Sequence, residues 1–252
     1  MERDAALFEY LLRLGDSTLI LGQRVSEWCG HAPVIEEDIA LANTALDLIG
    51  QTQMWLGLAA EVEGKGRSAD DLAYLRDAWD FRNLLLVERP NGDFGHTMMR
   101  QFLFDAFQSV LLARLAESTE PRIAAIAEKA GKEVAYHLER SKGTVIGLGD
   151  GTEESHARMQ AALEALWPYV GEMFKGDAVE AELAAAGIAP DPAELRAPWE
   201  ERVNPVLEEA TLNAPDSDFA HLGGKTGTHS EHLGHLLAGM QFLQRAYPGA
   251  EW

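Results

Sequence analysis

The sequence lacks most features that mark secreted, membrane-spanning or nucleic-acid-binding proteins. Its 252 residues include one cysteine, Cys29, so no disulfide can form within the chain. No apolar run approaches the ~18–20 residues needed to cross a bilayer. The first residues, MERDAALFEYLLRLGDS, contain no uninterrupted apolar stretch of the kind found in signal peptides. We therefore expect a soluble cytoplasmic protein in which Cys29, close to Trp28 and Val25, is a buried thiol.

Basic side chains are also scarce. The chain has 21 Lys and Arg residues against 41 Asp and Glu residues, which gives a formal charge of −20. Such a field repels the phosphates of nucleic acids and the anionic surface of membranes, so neither is an expected partner. The sequence contains no G-x-S-x-G motif and no spacing typical of a catalytic triad, so nucleophilic hydrolysis is not indicated.

Helical periodicity dominates what is present. Apolar residues recur every three to four positions over several segments of 20 to 30 residues, and no alternating strand pattern persists. With 46% hydrophobic residues, the chain is long enough for one sizeable core. The pattern predicts an all-α, antiparallel helical bundle with additional helices, formed as a single domain over residues 1–252. The inner face of the second long helix is predicted to be Ile39, Ala42, Leu46, Ile49, Gln53 and Leu56.

Two further segments have local signals. Residues 69–87 are predicted to be mostly helical, ending before the helix breakers of LLLVERPNGDF. Near the C-terminus, Thr228 followed three residues later by Glu231 predicts a capping box at the start of the last helix. The preceding GGKTG loop is interpreted as a structural turn, with Lys225 as an alternative anion contact. A Walker motif is excluded because glycine would be needed where Phe219 stands.

A helical bundle raises the question of a di-metal carboxylate centre. Such a centre needs a Glu-x-x-His motif on each of two helices and a further Glu on each of two others. Only Glu153 and His156 have this spacing, at a helix start. The predicted mid-helix residues suit a hydrogen-bonded polar core better, and a metal-free centre is expected. Those residues are Asn43, Asp47, Gln51, Gln101, Asp105 and Gln108.

Two alternatives remain open at this stage. Glu133 with His137, and Glu231 with His235, lie four residues apart, so each pair is interpreted as a helix-surface pair or, alternatively, as metal ligands. Together with Glu153 and His156 they would define a stand-alone ferritin-like di-metal oxidase. The third class, an iron-storage or scaffold bundle, would form a homo-oligomeric shell. Among the six tryptophans, Trp79 and Trp199 are flanked by charges and are predicted to lie at a subunit interface.

Several long motifs carry a resemblance that covers nearly the whole chain. They are LGQRVSEWCGHAP, ALANTALDLIGQ, NLLLVERPNGDF, EVAYHLERS, EATLNAP, GGKTGTHSEHLG and MQFLQRAYPG. The sequence resembles the C subunits of bacterial phenylacetyl-CoA epoxidases, the ring-oxygenating multicomponent oxygenases of phenylacetate degradation. The resemblance implies a ferritin-like fold and a non-catalytic structural subunit, with no catalytic residue and no metal site in this chain.

The resemblance also implies partners and cofactors. A catalytic A subunit would hold the di-iron centre and epoxidise the ring of phenylacetyl-CoA, while this chain pairs with it and stabilises it. A small B subunit, together with a reductase that has FAD and an iron–sulfur cluster and uses NADPH, would complete the complex. Positions implied to lie toward the CoA-bearing substrate are Asp80, Phe81, Arg82 and Asn83, and Ala181, Glu182 and Leu183. Arg82 suits a CoA phosphate because its guanidinium offers paired donors.

Overall fold

The computed structural model describes residues 3–250, which contain helices and connecting segments and no strand. The predicted all-α class is confirmed. The helices are α1 Arg3–Ser26, α2 Ile35–Glu63, α3 Ala69–Tyr74, α4 Phe94–Leu115, α5 Pro121–Gly149, α6 Glu153–Leu166, α7 Ala178–Ala185, α8 Arg196–Glu209, α9 Glu231–Met240 and α10 Phe242–Ala246. Short 3₁₀ helices span Ala78–Asp80, Trp167–Tyr169, Gly171–Phe174, Pro192–Leu195 and Gly224–Thr226.

The chain divides into two compact units. The first comprises the described residues up to Pro90 together with those from Leu222 onward, and the second comprises Asn91–His221. The first unit is therefore built from both ends of the sequence. The prediction of a single domain stays a prediction. No helix among residues 3–250 is both long and apolar enough to span a membrane.

The first unit is centred on the antiparallel pair of α1 and α2. The helices approach closely because α1 has glycines at the contact: a Cβ on Gly15 would lie 2.5 Å from Leu56 Cδ2, and one on Gly22 would lie 3.2 Å from Leu48 Cβ. Between these contacts, the Thr18 and Thr52 hydroxyls form a 2.8 Å hydrogen bond. Gly64, with φ of 67°, ends α2 as its left-handed cap.

Most of the residues predicted to form the inner face of α2 are exposed, so this prediction is wrong. The exposed residues of the predicted set are Ile39, Leu46, Ile49 and Gln53. The face that packs instead contains Leu41, Thr44, Ala45, Leu48, Gln51, Thr52 and Trp55. α2 has two apolar faces. The one that packs on the glycines of α1 is the face whose small side chains allow the two helices to approach closely.

The polar residues predicted at the middle of α2 differ in burial. Gln51 is buried, whereas Asn43 is exposed and Asp47 is half-buried.

The segment that follows α2 is much less helical than predicted. Within residues 69–87, only α3 and the single 3₁₀ turn Ala78–Asp80 are helical. In the rest of the segment, hydrogen bonds to buried side chains replace those of a helix.

Two further local predictions are corrected. The predicted capping box is wrong, because α9 begins at Glu231 with Ser230 as its N-cap residue. Cys29 lies at the turn after α1 and is exposed, contrary to the prediction of a buried thiol.

The second unit is centred on the antiparallel pair of α4 and α5, with α6 and α8 packed against them. α4 is buried on nearly all sides from Gly95 to Leu112. α5 begins at Pro121, whose ring suits the first position of a helix, and it buries Ala130, Val134 and Val145 along one face.

The core of the second unit contains Trp199, which corrects its prediction as an interface residue. This side chain is fully buried, and its indole N–H donates to the Leu103 carbonyl at 3.1 Å. Its ring packs against Trp167 and Phe174, with ring centroids 6.0 and 5.3 Å away. Trp199 therefore joins α8 to α4 inside the unit.

Candidate functional site

A buried ion pair anchors the irregular segment that follows α3. Arg76 Nη1 lies 3.0 Å from Asp16 Oδ2, and Nη2 donates to Oδ1 of the same carboxylate. The backbone N–H of Arg82 also donates to Asp16 Oδ2, at 2.8 Å. Both side chains are buried, so each charge needs the other to offset the loss of water. The pair fixes the segment against the middle of α1.

Arg76 also supports the chain around itself. Its Nε donates to the Leu72 carbonyl at 2.5 Å, and Nη1 donates to the Asp80 carbonyl at 3.0 Å. The guanidinium lies over the Phe81 ring, 4.4 Å from its centroid. Phe81 is fully buried beneath it. This arrangement satisfies carbonyl groups that have no partner in a regular helix.

Glu88 forms a second anchor, to the C-terminal part of the unit. Its Oε1 accepts from the Ser230 backbone N–H at 2.7 Å, and its Oε2 lies 3.0 Å from Asn83 Nδ2 and 2.8 Å from His229 Nδ1. Burial raises the pKa of Glu88, but the hydrogen bonds from His229 and Ser230 outweigh it, so this pKa lies below its ordinary value.

His229 lies between two acceptors. Its Nε2 is 2.9 Å from the Phe81 carbonyl oxygen, while Nδ1 faces the Glu88 carboxylate. While Glu88 is ionised neither acceptor can donate, so both contacts are hydrogen bonds only when each ring nitrogen carries a proton, and the site therefore favours the imidazolium form of His229. Burial lowers the pKa of His229, but the bonds to Glu88 and Phe81 outweigh it and raise the pKa above its ordinary value.

The first set of predicted substrate-facing residues lies within these anchors. Asp80 is exposed, Arg82 is half-buried, and Phe81 and Asn83 are fully buried. Arg82 Nε lies 2.5 Å from Glu9 Oε1, and Nη1 donates to the Trp79 and Phe81 carbonyls at 2.8 Å. Phe81 and Asn83 therefore position the segment, and Asp80 and Arg82 are the members with access to a ligand.

The second predicted set lies on α7 in the other unit, where Ala181 and Glu182 are exposed and Leu183 is buried. Asp177 caps this helix by accepting from the Val179 N–H at 2.9 Å. For both sets, a role toward substrate stays a prediction.

The GGKTG loop packs beside Trp79 as a structural turn. Gly227 has φ of 85°, and a Cβ there would lie 2.5 Å from the Trp79 carbonyl oxygen, so only glycine fits. Lys225 is buried. The Trp79 side chain itself is 77% exposed, so its predicted place at a subunit interface stays a prediction.

A groove of about 500 Å³ lies in the same unit. Its walls come from the 3₁₀ turn and from α9 and α10, and include Ala78, Leu237 and Phe242. The ion pair of Arg245 with Asp77, at 2.7 Å, lies at this groove.

The second unit has a buried carboxylate at the centre of its helix pair. Asp105 accepts from Gln101 Nε2 at 2.7 Å and from the Ser141 hydroxyl at 2.8 Å, and both neighbours are buried. Burial is the largest influence and raises the pKa of Asp105 to about 6, against the lowering effects of His137 and of these two donors. The predicted polar core is confirmed for Gln101, Asp105 and buried Gln108.

The donors around Asp105 differ from those of a di-iron centre. Asp105 contributes one carboxylate and His137 one imidazole, and the other neighbours are an amide and a hydroxyl, whereas a di-iron site needs four carboxylates and two imidazoles. This set does not fit the group. Among residues 3–250, no three His, Cys, Asp or Glu side chains gather as they would to hold a metal ion. Whether this chain binds metal stays a prediction.

The residues of the alternative ligand set have separate surroundings. His156 Nδ1 lies 2.8 Å from the Gly149 carbonyl oxygen, at the turn between α5 and α6. Glu231 and His235 are exposed on α9, as a surface pair would be. His137 is buried, so the interpretation of its pair with Glu133 as an exposed surface pair is wrong.

Sequence reasoning missed the anchors Asp16, Arg76, Glu88 and His229. One signal was available: Glu88 follows the apolar run LLLV, where a charged residue must find a buried partner. Its partner lies in the motif GTHSEHLG, 141 residues further along the chain. No local pattern links positions so far apart.

Comparison with known proteins gives two matches that cover the chain. The family described as phenylacetic acid catabolic protein matches residues 1–252. The chain is also 50% identical over 246 residues to the C subunit of the 1,2-phenylacetyl-CoA epoxidase of Escherichia coli (strain K12). That alignment spans 98% of this chain and 99% of the relative.

Proposed function

Because this chain belongs to the phenylacetic acid catabolic protein family, we propose that it is the non-catalytic C subunit of a phenylacetyl-CoA epoxidase. The observation that carries the proposal is the 50% identity to the E. coli C subunit over almost the full length of both chains. The family has a ferritin-like helical fold, so the predicted fold class is confirmed.

In this proposal the chain pairs with a catalytic A subunit, which it stabilises. The A subunit holds the di-iron centre, which supplies the oxygen chemistry that epoxidises the ring of phenylacetyl-CoA. A small B subunit, together with a reductase that carries FAD and an iron–sulfur cluster and uses NADPH, completes the complex in the cytoplasm. The name of the E. coli relative, which makes it one subunit of an epoxidase, supports the existence of partner chains.

The polar centre of the second unit supports a structural role. Both Asp105 oxygens are engaged by neutral donors, Gln101 and Ser141, within the same helix pair. Both oxygens of this carboxylate are therefore already used in hydrogen bonds within the unit. The residues of this centre hold α4 to α5.

The proposal puts the CoA-bearing substrate near the interface with the catalytic subunit. In the first unit, Asp80 and Arg82 would face the ligand from a segment fixed by Asp16 and Glu88. Ala181 and Glu182 would do so from α7, with Leu183 holding that helix in its unit. The chain then contributes binding and orientation, and the reacting atoms belong to the catalytic subunit.

The proposal is tested by co-expression with the catalytic subunit of the same epoxidase. Iron per chain is measured for the purified protein alone and for the co-purified pair, and phenylacetyl-CoA-dependent NADPH oxidation is followed after adding the reductase. We expect iron and activity only when the catalytic subunit is present. Two irons per isolated chain, with turnover, would replace the proposal with the stand-alone di-metal oxidase. A homo-oligomeric shell that ignores the catalytic subunit would indicate a storage or scaffold bundle.

A further inference from the structure

The outer face of α2 is an exposed apolar stripe. Ile35, Ile39, Leu46 and Ile49 are 70, 57, 67 and 45% exposed, respectively. With Ala42 and Gln53 they follow the spacing 4, 3, 4, 3, 4, which is that of a coiled-coil seam. At 1.5 Å per residue this seam extends for about 27 Å. We call these six residues the outer seam of α2.

A seam of this kind is unusual within the chain itself. α5 has the same length as α2, 29 residues, and also buries one face. Its outer positions are mostly charged or small, and Tyr136 is the large apolar side chain that it exposes. The outer seam of α2 therefore does not follow from being a long surface helix.

Small residues lie beside the seam. A Cβ added to Gly50 or to Gly57 would meet no atom within 4 Å, so the backbone of α2 is open there. Glycines at this spacing let a second helix approach closely, with its own side chains between those of the seam. The surface therefore suits a helix.

The charge of α2 indicates what kind of partner could bind the outer seam. The helix has six acidic residues and no Lys or Arg; Glu63 is paired with Arg67 and Lys65 beyond the helix end, which leaves Glu36, Glu37, Asp38, Asp47 and Glu61 as the acidic residues along its length. The whole chain has a formal charge of −20, so a second copy and an anionic membrane would both be repelled. The complementary occupant is a helix with an apolar seam and basic flanks on a different chain.

We infer that the outer seam of α2 is the surface on which this chain docks a helix of the catalytic subunit. The inference rests on the proposed function, and it adds the surface and the chemistry of the occupant: an amphipathic helix with aliphatic side chains flanked by Lys and Arg. Binding buries the four aliphatic side chains that the isolated chain exposes.

The test compares a charge placed in the seam with the same charge placed elsewhere. Leu46→Glu is the seam variant, and Tyr136→Glu, at an exposed apolar position in the middle of α5, is the matched control. Binding of each purified chain to the catalytic subunit is measured by titration calorimetry. Melting temperatures and sedimentation of the isolated chains are measured in parallel.

We expect Leu46→Glu to raise the Kd at least tenfold and Tyr136→Glu to change it less than twofold, with both chains melting as the wild type does. If the wild type binds and Leu46→Glu binds equally well, the seam is not the docking surface, while the proposed function stands. If the wild type does not bind the catalytic subunit, the proposed function fails. If the isolated chain is a dimer that Leu46→Glu dissociates, the occupant is a second copy and the inference is overturned.

Discussion

Glu88 and His229 form a buried pair, 2.8 Å apart, that joins the middle of one segment to the start of another 141 residues away. The pKa of Glu88 is lowered from 4.5, so its stabilisation is present above pH 4.5 and is lost as the pH falls through the lowered value. The pKa of His229 is raised from 6.5, so its stabilisation is present below pH 6.5 and is lost as the pH rises through the raised value.

The first prediction therefore concerns pH. Glu88→Gln should lower the free energy of unfolding by about 1–3 kcal/mol between pH 4.5 and 6.5, and by less at lower and higher pH. Urea unfolding over a range of pH values measures this. Glu139→Gln, which makes the same change at an exposed site on α5, is the matched control. A difference for Glu88→Gln that stays constant with pH would contradict the prediction.

The second prediction concerns the other anchor. Arg76→Met leaves the Asp16 carboxylate buried without its cation, which should cost about 3–5 kcal/mol of unfolding free energy. Adding Asp16→Asn should recover part of the loss, because it removes the uncompensated charge. The exposed pair of Arg158 with Glu154 is the comparison, where Arg158→Met should cost no more than about 1 kcal/mol. Equal losses from both Arg→Met changes would show that burial of the pair is unimportant.

The third prediction uses the raised pKa of Asp105. The unfolded chain loses this proton near pH 3.8 and the folded chain near pH 6, so stability falls as the pH rises between these values, by up to ~3 kcal/mol. Asp105→Asn removes this dependence and should gain stability relative to the wild type from pH 4 to pH 7. Ser141→Ala removes a donor to the carboxylate and should steepen the dependence. Parallel pH profiles for the wild type and Asp105→Asn would refute the assignment.

The fourth prediction contrasts two glycines at the end of α5. A Cβ on Gly149 would lie 2.6 Å from the Ala210 carbonyl oxygen and 2.7 Å from its Cβ, neither of which can rotate away. Gly149→Ala should therefore cost about 1–3 kcal/mol. Gly147 has nothing within 4 Å of the added Cβ, so Gly147→Ala should stabilise the helix by about 0.5–1 kcal/mol. Urea unfolding should give opposite signs for the two variants.

The fifth prediction tests the proposed substrate-facing segment in the assembled complex. Arg82→Met should raise the KM for phenylacetyl-CoA at least threefold with a smaller effect on kcat, because a phosphate contact contributes mainly to binding. Arg114→Met, which removes a similarly charged side chain paired with Glu194 at the surface, should leave both constants unchanged. Equal KM values for the two variants would remove Arg82 from the substrate site. The melting temperature of each variant is needed as well, because Arg82 also pairs with Glu9.

The sequence predicted the all-helical class well, because the periodicity and the breakers that indicate it are local. Pro121 at the start of α5 and Gly64 at the end of α2 act through the backbone of their own turn. Local signals of this kind could not show which face of α2 is buried. Both of its faces are apolar, and the choice depends on Gly15 and Gly22 of another helix.

The candidate site was less predictable for a similar reason. Asp105 was predicted to lie in a polar core because it is a polar residue in the middle of a long helix, but its partner Ser141, on the next helix, was not identified. The segment from Arg76 to Glu88 has no periodicity that specifies its path, since tertiary contacts with Asp16 and His229 determine it. The motifs GGKTGTHSEHLG and NLLLVERPNGDF were recognised in the sequence, but the hydrogen bond that joins them, between Glu88 and His229, was not predicted.

The construction of the first unit from both ends of the chain has a consequence for synthesis. The partners of Glu88, His229 and Ser230, leave the ribosome only after all of residues 91–221 have been made. Residues 91–221, a compact unit of their own, emerge before these partners, so until then Glu88 lacks two of the donors that it has in the folded chain. A nascent chain stalled before position 222 would contain the α1–α2 pair but lack α9, α10 and two partners of Glu88, and we expect chaperones and proteases to act on it more readily than on the chain that includes them.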